Sequence, residues 1–349
     1  MSNRLVNVYR GELIESINYG SVAVVDKEGK LLASYGDSQL VTYWRSAAKP
    51  FQAMAVLTSG AAEEYDITDK ELAVMCASHN GEEEHQELVY GVLSRLGLSA
   101  DVLQCGIHTP YSEEMAQQLE RKAEKPSEIH NTCSGKHSGI LAVCRKMGWS
   151  IDDYNNISHP VQQYIISIIE DILQYPAEKL SYGVDGCGVV VYGLPLYKMA
   201  YAYAVLANPD HLPDKYKQAA IRISNSMKKY PYVLAGKGRF NTDLLENTNQ
   251  KMIAKSGAEG VFCIGFEDDI LSDIQLPFSY QNGIGIAIKI ADGNLRAIPP
   301  VITEILQQLN LLSDIEKIKI EKYHHPKVLN NHKAYVGRIE ADFSLNIYS

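Results

Sequence analysis

Long hydrophobic runs are missing from this sequence. No apolar stretch reaches the ~18 residues that a membrane-spanning helix needs. A basic excess is missing as well. Lys and Arg total 33 against 42 Asp and Glu, a net charge of −9. That balance argues against a cationic footprint for nucleic acid or for an anionic membrane. The opening residues, MSNRLVNVYRGELIES, hold neither the apolar core nor the small-residue cleavage site of a secretory signal. There is no internal repeat and no low-complexity linker. The expectation is a soluble, cytoplasmic protein with no nucleic-acid or membrane partner.

What is present is ordinary globular material. Of 349 residues, 46% are hydrophobic and 21% charged, enough for one large or two modest domains with a substantial core. Six cysteines stand at Cys76, Cys105, Cys133, Cys144, Cys187 and Cys263. An even count permits disulfides, but the wide spacings and the expected reducing setting favour buried thiols, with a metal or reactive site as the alternative.

The chain reads as strands, then helices, then strands. Segments around Leu5–Tyr9, Glu15–Val25 and Leu31–Tyr35 alternate like strands, with a turn at Asp26–Gly29. Helical periodicity begins near Ser46. Thr68-Asp-Lys-Glu71 is a capping box. Helices are predicted over Gly81–Leu96, Ser112–Lys125, Ser134–Met147 (closed by Gly148), Pro160–Leu173, Leu196–Ala207 and Asp214–Lys229. Glu82, Glu83 and Glu84 fit a first helical turn, where the helix dipole favours them. Strands return at Gly260–Gly265 and Gly283–Ile290. The latter is expected to pair with Leu295–Ile298 across an Asp292-Gly293 turn. Pro300 opens a further helix, and Ala334–Ile339 reads as a last strand. His324-His325 and His332 read as a solvated loop. The fold class expected is α/β (α+β), with one antiparallel sheet from the N- and C-terminal strands and a helical insertion. The corresponding parts are 1–45 plus 230–349 and 46–229, forming one catalytic unit.

Three short motifs carry chemistry in order. Ser46-Ala-Ala-Lys49 puts a hydroxyl and an amine on one helix face. A serine needs a base, and a lysine serves only when neutral. Pro50 confines this motif to a first helical turn, where free amides can hold an oxyanion. Ser78-His-Asn80 follows, then Lys255-Ser-Gly257. Each alone has a bland reading as a turn or chance match. Together, S-x-x-K, S-x-N and K-[ST]-G form the ordered signature of serine β-lactamases and penicillin-binding proteins.

Five blocks extend the likeness: Trp44–Pro50, Cys76–Gly81, His130–Gly139, Gly183–Gly188 and Lys255–Gly260. They resemble the rhizobial-type (class 3, zinc-associated) L-asparaginases of the β-lactamase-like fold, over almost the whole chain. The resemblance implies hydrolysis of L-asparagine to L-aspartate and ammonia by a homodimer. It implies Ser46 as nucleophile, Lys49 as its base, and Ser78 with Lys255 as a second Ser–Lys pair. It implies Cys133, Lys136 and Cys187 as zinc ligands, with Asp185 near the metal. Arg45 and His137 would line the site, Asn80 would bind substrate, and the Ala258 amide would complete an oxyanion hole. Spacing alone pairs Cys133 with His137, four residues apart on a helix; it is the resemblance that selects Lys136. A lysine ligand must be neutral, so its binding would respond to pH. Glutaminase, β-lactamase or D-Ala-D-Ala peptidase activity, or a ligand sensor without turnover, are the competing readings. One methylene separates glutamine from asparagine, worth only ~1–3 kcal/mol.

Overall fold

The computed structural model describes residues 3–348. The chain divides into two compact units. One comprises residues up to Trp44, then Leu194–Asn208, then Asp243 onward; the other comprises Arg45–Gly193 and Pro209–Thr242.

The first unit is built on a nine-stranded sheet. Its main path runs Lys327–Leu329, Tyr335–Ala341, Asn3–Arg10, Leu13–Asp26, Ile284–Ile290, Val261–Phe266 and Met252–Gly257. Leu31–Tyr35 and Asn346–Ile347 extend it from Leu13–Asp26. Every pairing is antiparallel. N- and C-terminal strands therefore share one sheet, as the sequence order suggests. Helix Leu196–Ala207 packs on strands Ile284–Ile290, Val261–Phe266 and Leu13–Asp26. Strands Ile284–Ile290 and Val261–Phe266 are covered on both faces, which is why they read as continuous apolar runs.

Helix Leu196–Ala207 thus goes with the sheet, although the expected boundary placed it in the helical part. The reason is its composition: a helix apolar on nearly all sides needs a broad surface to cover it. Residues Pro209–Thr242 go with the helical unit instead. A second correction concerns Leu295–Ile298. It is no strand: Leu295–Ala297 is a 3-10 turn leading into helix Ile298–Gln308. Asn294 caps that turn by accepting the Arg296 N–H, and prolines occupy the first helical turn, where a missing N–H does no harm. A third concerns His324. It ends helix Asp314–His324, buried, with Nε2 2.7 Å from Glu304 Oε2 and Nδ1 3.1 Å from the Gln307 amide. His325, just past the helix, and His332 are exposed and lie outside helix and strand, as expected.

The second unit is mainly helical. Helix Asp69–Met75 opens on the predicted capping box, in which Thr68 Oγ1 accepts the Glu71 N–H and Glu71 returns to the Thr68 N–H. Helix Ser134–Met147 closes on Gly148 at φ +67°. A hairpin, Ser181–Val184 with Val190–Pro195, was not expected from the sequence. All six cysteines are free and buried. Burial pushes the thiols of Cys105, Cys144 and Cys263 up to about 12, so they are inert. No described helix is long and apolar enough to cross a membrane.

Candidate active site

The S-x-x-K motif lies where the sequence puts it, at a helix start. Arg45–Ala48 forms a 3-10 turn that runs into helix Lys49–Thr58, with Pro50 in its first turn. Arg45, directly before Ser46, has φ +52°. A bulky residue there is strained by about 1–3 kcal/mol and persists only where its surroundings hold it. Here Arg45 Nε donates to Asp185 Oδ1 at 2.8 Å, an ion pair that anchors the turn.

Lys49 is 1% exposed. Its Nζ donates to the Ala77 carbonyl, to Ser78 Oγ (3.2 Å) and to the Thr132 carbonyl (3.4 Å). The lysine of the first motif is thus bonded to the serine of the second. Ser46 Oγ has no hydrogen bond among the described residues, so the direct Ser46–Lys49 link expected from the motif is absent. Ser78 is set at the end of helix Asp69–Met75, its N–H donating to the Leu234 carbonyl at 3.0 Å.

Helix Ser134–Met147 brings the third group. It can approach helix Asp69–Met75 only because residue 135 is glycine: a Cβ there would lie 2.2 Å from the Val74 carbonyl oxygen. A buried histidine adds a second tie. His79 Nδ1 accepts the Gly81 N–H (3.1 Å), so its Nε2 donates to Ser134 Oγ (3.0 Å), which donates to the Ile129 carbonyl (2.9 Å). Cys133, Lys136 and Cys187 then meet. Lys136 Nζ donates to Cys187 Sγ at 2.9 Å, and all three side chains are buried.

The electrostatics of this cluster are those of an ion pair. The Cys133 thiol, its ammonium neighbour Lys136 and burial act together on Cys187. Hydrogen bonding from Cys133, then the charge of Lys136, outweigh burial and bring the Cys187 thiol down to about 5. Cys133 is raised in turn, chiefly by that same hydrogen bond and by burial. Burial works against the Lys136 charge, but Cys187, Cys133 and Asp185 more than reverse it. Asp185 follows the same logic: burial raises its carboxyl, and Lys136, Arg45 and Lys49 bring the net below the usual range. Cys187 Sγ is 3.8 Å from Asp185 Oδ2. The helical unit therefore joins Arg45, Asp185, Cys187, Lys136 and Cys133 in one set of contacts and Lys49 with Ser78 in another, and the Lys49 charge acts on Cys133 and Asp185.

A model of the L-asparaginase II family matches residues 6–341. The chain belongs to the L-asparaginase II family. Among solved structures it is similar to Mglu in its native form, with 15% identity over 84% of this chain and 64% of that one, TM-score 0.36. It is also similar to Mglu in its glutamate form, with 13% identity over 82% and 60%, TM-score 0.34. The chain thus spans less than two thirds of the length of those two proteins, and likenesses this distant bear on neither fold nor chemistry. No curated protein matches it.

In this L-asparaginase II family member the thiol cluster suits a soft metal ion. Cys133 and Cys187 supply two buried thiol donors of the kind zinc takes, whereas Lys136, held as the ammonium of an ion pair, becomes a donor only on losing its proton. His137 is not part of that set. Its Nδ1 lies 2.7 Å from Tyr154 OH, which accepts the Gln104 N–H, also at 2.7 Å. His137 Nε2 is a buried nitrogen with no partner among the described residues.

Two expected residues belong to the sheet unit. Lys255 is not in a turn before a strand but within strand Met252–Gly257, 1% exposed, with Nζ donating to the Ser256 carbonyl at 2.7 Å. Ala258 follows that strand. Asn80 is where the motif predicts but is differently engaged: Nδ2 donates to the Lys237 carbonyl (3.2 Å) and Oδ1 accepts from Arg239 Nη1 (3.0 Å). Sequence reasoning passed over Tyr154, His79 and Arg239. A lone tyrosine or histidine among many gives no signal, whereas Lys237-Gly-Arg239 between helices could have been noted as a charged loop.

Proposed function

We propose that this chain hydrolyses the side-chain amide of L-asparagine, giving L-aspartate and ammonia, through a serine ester. The observation that carries the reading is the buried contact between Lys49 and Ser78. It joins two motifs in one proton path beside the helix start that bears Ser46. Membership of the L-asparaginase II family supports an amidohydrolase.

Ser46 Oγ attacks the amide carbon, and its proton passes by Ser78 Oγ to the neutral form of Lys49. The carbonyl oxygen takes up the negative charge. Amides at the Ser46 turn hold it, joined by the Ala258 N–H in the role the K-[ST]-G motif gives it. The lysine returns the proton to the leaving nitrogen as the C–N bond breaks, and ammonia departs. Water, deprotonated along the same path, then cleaves the aspartyl ester and frees Ser46. Lys255 is assigned to the second Ser–Lys pair on the strength of its motif. Zinc on Cys133, Lys136 and Cys187 would supply a Lewis-acid anchor for the α-amino and carboxylate end of the substrate. Asp185 and Arg45 hold each other, and Asp185 faces the substrate's ammonium. The reading carries with it a homodimer of β-lactamase-like fold.

The test is ammonia release from L-asparagine and L-glutamine, and ring opening of a penicillin, by wild type and Ser46→Ala. Asparagine turnover that vanishes in a folded Ser46→Ala is expected. Turnover retained in that variant rejects Ser46 as nucleophile; no release from either amide rejects the reading.

A further inference from the structure

Asn80 leads to a group that the proposed reaction leaves unused. Both ends of its amide hold the loop Gly236–Arg239. Gly236, at φ +111°, permits that approach: a Cβ there would lie 2.7 Å from Asn80 Nδ2 and 2.6 Å from Glu82 Oε2. Thr242 Oγ1 donates to the Gly236 carbonyl (2.8 Å), and the Lys237 N–H donates to Glu82 Oε2 (3.3 Å). The loop is pinned at several points, and Arg239 is the side chain it fixes in place.

Arg239 is half-buried, with its guanidinium over the Tyr111 ring at 5.6 Å from the centroid. Among the described residues no carboxylate pairs with it. Glu82 is engaged by the Lys237 N–H and the Tyr232 hydroxyl. One of the five guanidinium N–H groups bonds to Asn80. Glu82 acts on the guanidinium by its charge but is bonded elsewhere, so the partly desolvated cation keeps N–H groups with which to meet an anion. The other cations of the helical unit's cluster are committed: Arg45 to Asp185, Lys136 to Cys187, Lys49 to Ser78 and two carbonyls. Ser78 and Asn80 are two residues apart, at most about 7 Å of chain, the length scale of one amino acid.

We propose that Arg239 binds the α-carboxylate of the substrate and that Asn80 is the residue that positions it. The inference rests on the reading of the site as one for an amino-acid amide. A guanidinium takes a carboxylate through two parallel hydrogen bonds, which a lysine cannot imitate. The enzyme therefore selects free amino acids and discriminates against asparagine within a peptide or with an amidated carboxyl group.

Arg239→Gln, Arg239→Lys and Asn80→Ala are compared with wild type on L-asparagine and on its α-amide, which lacks the carboxylate. Loss of a charge-assisted pair should raise KM for L-asparagine in Arg239→Gln by about tenfold or more. KM for the α-amide should stay unchanged and kcat should fall less than KM rises. Arg239→Lys should recover part of the loss, and Asn80→Ala should move KM the same way. An unchanged KM for L-asparagine, or an equal rise on both compounds, overturns the proposal. Calorimetric binding of L-aspartate separates this from failure of the proposed function. If wild type releases no ammonia, that function falls. The carboxylate site then still stands if wild type binds L-aspartate and Arg239→Gln does not; equal binding, or none to wild type, overturns it.

Discussion

Gly135→Ala sets helix propensity against packing, with opposite signs. Alanine in a helix is favoured over glycine by up to about 1 kcal/mol. A Cβ at residue 135 would stand 2.2 Å from the Val74 carbonyl oxygen and 2.7 Å from its carbon. Both are backbone atoms and cannot rotate aside. To restore van der Waals contact, helix Ser134–Met147 must retreat from helix Asp69–Met75 by more than about 1 Å. Such overpacking costs about 1–3 kcal/mol, so the net effect should be destabilising despite the propensity gain. The retreat also displaces Cys133 and Lys136 from Ser78, and a shift of that size can cost about 100-fold in rate. Gly139, one turn on, supplies the control. Its added Cβ would meet Met75 Sδ at 3.0 Å, the mobile part of a flexible side chain. Gly139→Ala should stay within about 1 kcal/mol of wild type. Urea unfolding followed by circular dichroism, with ammonia release measured on the same samples, reads both effects. Gly135→Ala as stable as wild type, or Gly139→Ala the worse of the two, refutes the packing argument.

Two further outcomes follow from the thiol cluster. In metal-free protein, Lys136→Met should raise the Cys187 titration from about 5 by at least one unit, about 1.4 kcal/mol. Thiolate ultraviolet absorbance against pH measures it, and an unmoved midpoint dissolves the ion pair. Because the Cys187 value is depressed, its stabilisation is fully present above the ordinary thiol value of 9.0. It is lost as pH falls toward about 5. Wild type should therefore lose more stability than Lys136→Met over that interval, as read by urea midpoints at a series of pH values. Finally, a chelator should raise KM for asparagine more than it lowers kcat, since the metal is assigned to positioning; lost kcat at constant KM would contradict that assignment.

Local signals were the legible ones. Thr68–Glu71, Gly148 and Pro160 mark helix boundaries by chemistry confined to a few residues, and each is found as read. Lys49 and Ser78 meet, although the motifs pair Lys49 with Ser46 and Ser78 with Lys255 rather than with each other. Leu295–Ile298 was misread because an Asp-Gly turn and a short apolar run suit a hairpin, while the prolines behind it suit a helix; the prolines prevail. The strand around Lys255 was missed because a buried lysine breaks the apolar pattern. Which hydroxyl Lys49 engages, which hydroxyl His137 Nδ1 meets, and what Asn80 holds are properties of three-dimensional neighbours. No spacing rule contains them.

The order in which the units recur along the chain has a consequence for biosynthesis. Strand Asn3–Arg10 emerges before the other strands of its sheet, yet one of its two neighbours, Tyr335–Ala341, is made only after the whole helical unit. All residues of the helical unit, Arg45 to Thr242, have been synthesised before strands Met252–Gly257, Val261–Phe266 and Ile284–Ile290 exist. Pairings so remote in sequence form slowly, and they leave the early strand with an open edge while translation proceeds. The bonds among Lys49, Ser78, Cys133, Lys136 and Cys187 connect only residues already made by Cys187. The Lys49–Ser78 contact and the thiol cluster can thus form on the ribosome before the sheet is closed, whereas Lys255 and Ala258 arrive only with its strands, and strand Asn3–Arg10 is the segment that most needs protection meanwhile.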